Sequence, residues 1–226
     1  MLYSSASRLR PRQNLMTRHD IPFLRNWPLH IMIAVFLLIW GWLAFWPVVR
    51  RDWLLENIPL AAFIVLLAFM YRKVAFSNLS YLFITIFFIL HTVGAHYAYQ
   101  VPLVDDWFRS IFQTKRGVYD RLVHLAFGLL ILLPMRELAL RVLRLGGVWA
   151  YAVPFAAVLS MSGIYEISEM WVALLADPKL AAQYLGLKGD PLDTAKDMSM
   201  TLFGVLIACG LIALIGYIRH KGRDTE

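Results

Sequence analysis

The sequence predicts an all-α membrane protein, a polytopic bundle of six transmembrane helices with both termini in the cytoplasm. Of its 226 residues, 60% are hydrophobic and only 16% are charged, and the mean hydropathy is +0.61. A soluble domain has about a quarter of its residues charged, and it has no means of burying so large an apolar excess. Lipid is therefore the expected solvent, and a hydrocarbon core of about 30 Å requires about 20 residues per helix.

Six apolar segments of near span length follow one another along the chain. They lack the strict alternation of barrel strands, so helices are the structure that satisfies their backbone groups in lipid. The expected spans are 29–49, 54–71, 79–101, 118–134, 148–175 and 198–218. The fifth is long enough to be tilted, or broken near Pro154 or Gly163. Residues 29–218 thus form the predicted membrane domain, between a basic arm at 1–28 and a short cytoplasmic tail at 219–226.

The distribution of lysine and arginine predicts the orientation. With the N-terminus inside, thirteen of the 22 basic residues lie in cytoplasmic segments and eight lie in segments on the other side. Cytoplasmic flanks carry such an excess, so the bias favours both termini inside. The formal charge of +7 does not indicate nucleic-acid binding, because no interleaved basic and aromatic surface accompanies it. The single cysteine, Cys209, excludes a disulfide within the chain.

Ionisable residues inside the apolar runs fall in one layer of the predicted bundle. In this topology the third and fifth spans end, and the fourth and sixth begin, near the extracytoplasmic surface. These four places hold His91, His96, Asp120, His124, Glu166, Glu169, Asp193 and Asp197. Residues three or four apart share a helix face. The two members of each pair, Asp120 and His124, Glu166 and Glu169, and Asp193 and Asp197, therefore project from the same face of their helix. A polar functional site beneath this surface is the resulting prediction.

Helix geometry separates the two histidines of the third span. His91 and His96 are five residues apart, a rotation of about 140°, so both do not point squarely at one site. We favour His96, which is nearer the surface. Asp105 and Asp106 are predicted to be exposed loop charges, and Asp193 is also typical of a helix cap.

The residue types at this layer favour acid–base or metal chemistry. A charge at mid-bilayer costs about 2.5 to 3.5 kcal/mol on insertion scales, and neighbouring carboxylates repel one another unless a cation, shared protons or water intervene. Glu166 and Glu169 are the candidate catalytic bases. The candidate ligands of one divalent metal ion, zinc, manganese or iron, are His96, Asp120, His124, Asp193 and Asp197. A proton relay and a pocket for a cationic or polyol substrate remain open alternatives.

Four segments of the chain carry a family resemblance. HTVGAHYAYQVP (91–102), YDRLVHLAFGLLILLPMRE (119–137), SGIYEISEMW (162–171) and GDPLDTAKDM (189–198) resemble the YjdF-type bacterial inner-membrane proteins, a family of unknown function. The resemblance covers about Leu29 to Tyr217 and implies the helical fold and the bacterial inner membrane.

The second half is also similar, more weakly, to VanZ-like proteins. The similarity lies in the spaced pattern Glu169, Gln183, Asp193, Asp197 and Gly204. Where that pattern often carries asparagine, this chain has Thr201. The similarity implies chemistry of the cell envelope.

The favoured function is an enzyme that acts from the outer leaflet on a lipid or cell-envelope precursor, by metal-assisted hydrolysis or transfer. Its expected partners are membrane lipid and that substrate, and the sequence carries no signal for an oligomeric state. A small-solute or proton-coupled transporter is a second hypothesis, although no inverted repeat is visible and the acids lie near one surface. A non-catalytic membrane partner or sensor is the third.

Overall fold

The computed structural model describes residues 15–19, 21–112, 117–175 and 192–223, and in these ranges it contains helices and no strand. Within the described residues, a 3-10 turn at Phe23–Arg25 precedes seven helices. They are α1 Trp27–Leu43, α2 Arg50–Tyr71, α3 Asn78–His96, α4 Pro102–Phe112, α5 Tyr119–Arg141, α6 Trp149–Leu175 and α7 Asp193–Arg223. Helices α2, α3, α5, α6 and α7 are long and apolar enough to cross a membrane, and α1 is a shorter apolar helix. The predicted all-α class is confirmed.

Several expected helix ends differ from the observed ones. Helix α2 begins at Arg50 rather than 54, α3 ends at His96 rather than 101, and α7 covers Asp193–Arg223 rather than 198–218. Helix α1 ends at Leu43 rather than near 49, and Trp46 in the following turn has a φ of 46°. Helix α5 was expected to end at Pro134 but continues to Arg141. A proline inside a helix removes one backbone hydrogen bond. In an apolar environment, however, continuing the helix is what satisfies the remaining backbone groups.

Helix α4 was not predicted from the sequence. Leu103, Trp107 and Ile111 are exposed and are spaced four residues apart, so they form one apolar face. A short helix with such a face is typical of a segment that lies in the membrane interface. The segment was interpreted as a loop. The spacing of these three residues was the sequence feature that could have predicted an amphipathic helix there.

The side chain of Asp105 connects α4 to α5. Asp105 is only 1% exposed, and its Oδ1 accepts hydrogen bonds from the backbone N–H of Val118 at 2.7 Å and of Tyr119 at 3.1 Å. The first N–H groups of a helix have no acceptor within the helix. The Asp105 carboxylate, from outside α5, is the acceptor for two such groups at the start of α5. The prediction of an exposed loop charge is therefore wrong for Asp105. Asp106 is exposed and contacts Arg109 at 3.1 Å.

The basic arm is described only from residue 15, so Arg8, Arg10 and Arg12 lie outside the described residues. Its described part contacts the beginning of α3. The Asn78 side-chain amide donates to the Leu15 carbonyl at 3.2 Å, and the Leu79 N–H donates to the Met16 carbonyl at 2.9 Å. These bonds hold the end of the arm against the bundle.

Helix α5 is the central element of the bundle and packs against α3, α6 and α7, while α1 and α2 pack on α3. The main core lies where these helices meet. It consists of Phe36, Leu60, Ile84, Phe88, Ile131, Leu132, Val158, Val205 and Ala208. Large apolar side chains on the outer faces, such as Leu38, Val65 and Phe69, are exposed, as expected for faces that contact lipid.

Helices α5 and α7 approach most closely at two glycines. A Cβ added to Gly128 would lie 2.2 Å from the Thr201 carbonyl oxygen, and one added to Gly204 would lie 2.2 Å from the Leu125 carbonyl oxygen. Small residues at a crossing let helix backbones touch in membrane bundles. This contact sets the position of α7 beside the first two turns of α5.

We expect Gly128→Ala and Gly204→Ala to destabilise the bundle by about 1–3 kcal/mol, the usual effect of overpacking, because each methyl group would meet backbone of the facing helix. Gly216→Ala, also on α7, is the matched control, since no atom lies within 4 Å of its added Cβ. Thermal unfolding in detergent, followed by reaction of Cys209 with a thiol dye, measures the difference. Equal stability of all three variants would contradict the crossing.

We expect Asp105→Ala to lower the free energy of unfolding by about 0.5–2 kcal/mol, because the start of α5 loses its capping acceptor. The neighbouring Asp106→Ala removes an exposed carboxylate and should change stability by less than about 0.5 kcal/mol. The same unfolding assay compares the two variants. If Asp106→Ala were as damaging as Asp105→Ala, the capping role would be wrong.

Candidate functional site

Four helices, α2, α3, α5 and α6, line a cavity of about 90 Å³. Its polar lining comes from His91, Tyr99, Asp120, His124, Ser162 and Tyr165. Deeper along the helices the lining is apolar and includes Phe63, Phe87 and Phe127. The cavity therefore has a polar part that could carry chemistry and an apolar part that continues into the bundle.

His124 is the centre of the first polar group around the cavity. Its Nε2 lies 3.0 Å from Glu166 Oε1 on α6 and 3.8 Å from Asp120 Oδ1, one turn earlier on α5. His124 and Glu166 are each 6% exposed. The spacing of four residues between Asp120 and His124 places both on one face of α5, as predicted. One imidazole nitrogen thus faces two carboxylates, an arrangement that favours proton exchange among the three.

The other ring nitrogen of His124 meets two hydroxyl groups. Nδ1 lies 3.3 Å from Ser162 Oγ on α6 and 3.3 Å from Thr201 Oγ1 on α7, and the two hydroxyl oxygens are 2.9 Å apart. These contacts orient the ring between α6 and α7. A hydroxyl on Nδ1 leaves Nε2 as the nitrogen that interacts with the carboxylates.

Glu56 on α2 is the centre of the second polar group and is 5% exposed. The Tyr165 hydroxyl donates to Glu56 Oε2 at 2.5 Å, and the Tyr99 hydroxyl lies 3.3 Å from the same oxygen. Tyr99 also lies 2.7 Å from His91 Nδ1, while His91 Nε2 donates to the Glu56 backbone carbonyl at 3.0 Å. The carboxylate, both phenols and the imidazole therefore form one continuous hydrogen-bonded group.

A left-handed turn after α3 brings Tyr99 back to this group. Ala98 has a φ of 48° and Tyr99 a φ of 54°, a region that non-glycine residues rarely occupy. Gly94 makes room for the ring, since a Cβ there would lie 2.6 Å from Tyr99 Cε1. Two consecutive residues in this region carry about 1–3 kcal/mol of strain each. Such strain is often found where a side chain must be held at a functional site.

Arg121 provides positive charge beside the first group. Its Nη2 lies 3.7 Å from Asp193 Oδ1, and its Nε lies 3.9 Å from Asp197 Oδ1. Both aspartates are buried on the first turns of α7. The guanidinium thus offsets the two carboxylates, which were expected to require a cation.

The structure brings most of the predicted site residues together, but not all. Asp120, His124 and Glu166 are in direct contact, and Asp193 and Asp197 lie beside them on Arg121. Glu169 is one turn beyond Glu166, half-buried, and is near enough to Asp120 and Glu56 for their charges to interact.

The preference for His96 over His91 is corrected. His96 Nδ1 lies 2.8 Å from the Leu43 carbonyl at the end of α1, whereas His91 lines the cavity. The turn after α3 places Tyr99 next to His91, so His91 and not His96 belongs to the site. Helical spacing alone does not predict this turn. Among the residues that the structure describes, no three or more His, Cys, Asp or Glu side chains are arranged to hold a metal ion. Gln183 of the VanZ-like pattern lies outside those residues.

Sequence reasoning missed several members of the two groups. Glu56 was not selected, although a lone acid inside the apolar run 54–71 is itself a functional signal. Ser162 and Tyr165 share α6 with Glu166, but hydroxyl groups in an apolar run are common and carry little weight alone. Ser162 and Tyr165 are three residues apart, and Tyr165 and Glu169 are four residues apart. This helical spacing, which places them on one face of α6, is the only signal that was available.

Comparisons with known proteins agree with this architecture. The family described as predicted membrane protein (DUF2238) matches residues 28–222. The inner membrane protein YjdF of Escherichia coli (strain K12) is 34% identical over 163 residues, which cover 70% of this chain and 75% of that protein. No solved structure matches. With its apolar helices, the chain is a multi-pass protein of the bacterial inner membrane, and it belongs to the DUF2238 family of predicted membrane proteins.

Proposed function

We propose that the cavity is a catalytic centre for acid–base chemistry on an amphiphilic lipid or cell-envelope precursor. One observation carries the proposal. A buried imidazole in contact with carboxylates, and two phenol groups held by another carboxylate, line the same cavity, whose remaining walls are apolar. A base and hydrogen-bond donors around one small space are the parts that hydrolysis or group transfer requires.

The residues divide into roles by their contacts. His124 and Glu166 form the base that accepts a proton from the attacking hydroxyl or water, with Asp120 sharing the charge on Nε2. The Tyr165 hydroxyl proton is held by Glu56, and the Tyr99 hydroxyl by His91 Nδ1 and Glu56. Each phenol therefore has to turn its one O–H away from these partners to stabilise negative charge that develops on the substrate oxygen. Glu169, half-exposed one turn beyond Glu166, exchanges the proton with the aqueous phase.

The shape of the cavity indicates an amphiphilic substrate. A volume of about 90 Å³ is well below the about 300–1,000 Å³ of pockets that enclose a whole ligand. Only the reacting linkage of a larger molecule fits within it. Phe63, Phe87 and Phe127 on the apolar side are suited to contact the beginning of an acyl or prenyl chain, whose remainder stays in the bilayer.

The carboxylate and imidazole groups of this centre are of the types that bind a divalent metal ion, and we include such an ion in the proposal. The described side chains form no ready group of three ligands, so an ion would have to draw Asp120, His124 and Glu166 together. Asp193 and Asp197 face Arg121 instead, and His96 contacts α1. Bound at Asp120, His124 and Glu166, the ion would supply a Lewis acid beside the tyrosine donors. Metal analysis of protein purified without chelator tests it: one ion per chain, lost in His124→Ala, supports a metal centre. No stoichiometric metal would leave the chemistry to the protein groups.

The proposed orientation has six spans, α1, α2, α3, α5, α6 and α7, with both termini in the cytoplasm. Helix α1 has 17 residues and is about 25 Å long, which is close to the hydrocarbon thickness. The cavity then lies near the extracytoplasmic face, and α4 lies in the outer interface. The lysine and arginine bias supports this orientation.

We expect Glu166→Gln to lower turnover by about 10²–10⁴-fold, because the amide has the shape of the carboxylate but does not accept a proton. Purified protein is incubated with a total lipid extract of bacterial inner membrane, and mass spectrometry detects new products. Asp106→Asn, at the same end of the bundle but exposed, is the matched control and should retain full turnover. Glu166→Gln with wild-type product yield would contradict the proposal.

A proton-coupled carrier is the second candidate, favoured by the unbroken hydrogen-bonded group from Glu56 to His91. Measurement of solute-driven proton flux in proteoliposomes distinguishes a carrier from an enzyme. Solute-driven proton flux that is lost in Glu166→Gln, in the absence of lipid turnover, would replace the enzyme by a carrier.

We expect alkaline phosphatase inserted after residue 114 to be active and the same enzyme fused after residue 226 to be inactive, because it folds only outside the cytoplasm. Green fluorescent protein at these two positions should give the opposite pattern. The enzyme and fluorescence readings together measure which side each position occupies. Phosphatase activity at residue 226 would contradict the proposed orientation.

A further inference from the structure

A second, larger cavity of about 630 Å³ lies along the surface of the bundle between α3, α5 and α7. Its apolar walls include Phe83, Leu129, Leu133, Leu211 and Ile215. We call this cavity the α5 groove. Its polar end is at Arg136, twelve residues and about 18 Å along α5 from His124. The volume falls in the range of about 300–1,000 Å³ typical of ligand pockets.

Arg136 is a cation without a carboxylate partner among the described residues. Its guanidinium carbon lies 4.6 Å from the centre of the Tyr151 ring, and Nη2 lies 3.4 Å from the Tyr151 hydroxyl. Its Nε is buried, with no hydrogen-bond partner in the part of the chain that the structure describes. A buried donor without an acceptor is unfavourable, so the position calls for an anion or acceptor from outside the chain.

The next residue in the chain, Glu137, does not supply that anion. Glu137 accepts hydrogen bonds from the backbone N–H and the hydroxyl of Ser77, and it lies 3.6 Å from His19 Nε2. It is therefore engaged with the beginning of α3 and the arm. Arg141, about one turn further along α5, adds a second guanidinium that lines the same groove. The polar end of the groove is thus net positive.

We propose that the α5 groove binds one anionic phospholipid, with its phosphate on the Arg136 guanidinium and one acyl chain along the apolar walls. Guanidinium and phosphate form paired, charge-assisted hydrogen bonds, which would satisfy the buried Nε. The groove runs about 10 Å along α5 from Arg136 to Leu129, with apolar side chains from three helices on its walls. Basic groups at a membrane surface favour anionic over zwitterionic headgroups.

Titration of the full-length protein in detergent with dioleoyl phosphatidylglycerol, followed by native mass spectrometry, tests this site. We expect Arg136→Gln to weaken binding at least about fivefold, the effect of removing one basic contact. Arg144→Gln is the matched control, because Arg144 is exposed in the turn after α5 and its loss removes the same charge. Its affinity should stay at the wild-type value, and dioleoyl phosphatidylcholine should bind the wild type less tightly.

A second variant tests the groove without changing its charge. Leu133→Trp places a larger side chain between α5 and α7 and should reduce phosphatidylglycerol occupancy, while unfolding followed at Cys209 shows that the bundle is intact. Equal weakening by Arg136→Gln and Arg144→Gln would show general surface attraction and overturn the proposal. Wild-type binding that is unchanged in both Arg136→Gln and Leu133→Trp would overturn it as well. Because the groove and the cavity share no residues, neither result bears on the catalytic proposal.

Discussion

Helices α5 and α7 cross with their backbones in contact at Gly128 and Gly204, and the arrangement of the polar centre depends on this crossing. His124 lies one turn from Gly128, and Thr201 lies less than one turn from Gly204, so the threonine hydroxyl reaches the imidazole. Two turns towards the end of the bundle, the same alignment places α7 beside Arg121, where Asp193 and Asp197 are held. In lipid the hydrophobic effect no longer drives helices together, so close packing at small residues and hydrogen bonds between helices contribute much of their association.

Every buried ionisable group at the cavity has a partner from another helix, as the low dielectric of the bilayer requires. Glu166 contacts His124, and Glu56 is held by tyrosines from α6 and from the turn after α3. Groups held in this way have fixed positions in advance, which is the preorganisation that the proposed acid–base catalysis requires. At the opposite end of α5, the Arg136 guanidinium contacts the Tyr151 ring and hydroxyl, and its Nε has no hydrogen-bond partner among the residues that the structure describes. The two ends of α5 thus differ: Glu166 and His124 are paired with each other at one end, whereas the other end holds the guanidinium at which we propose that a phospholipid binds.

Much of the fold followed from hydropathy and helical spacing alone. The apolar runs located six of the seven helices that the structure describes, and spacings of three and four residues placed Asp120 with His124 and Glu166 with Glu169 on common faces. The topology then required these faces to meet, because alternating directions bring alternate helix ends to one layer. What remained unpredictable depended on turns and on rotation about helix axes. The left-handed turn at Ala98 and Tyr99 selects His91 over His96, and Asp105 is buried because α4 folds back to cap α5. Glu56 became recognisable only when its neighbours in space were known.

The central claim is that His124 and Glu166, on different helices, interact directly inside the bundle. A double-mutant cycle of His124→Ala and Glu166→Gln, with the free energy of unfolding measured in detergent, tests this most directly. The 3.0 Å contact predicts a coupling of about 1 kcal/mol or more, within the range of about 0.5–3 kcal/mol found for contacting residues. Additive effects of the two substitutions would mean that the side chains do not meet, and the proposed centre would not exist.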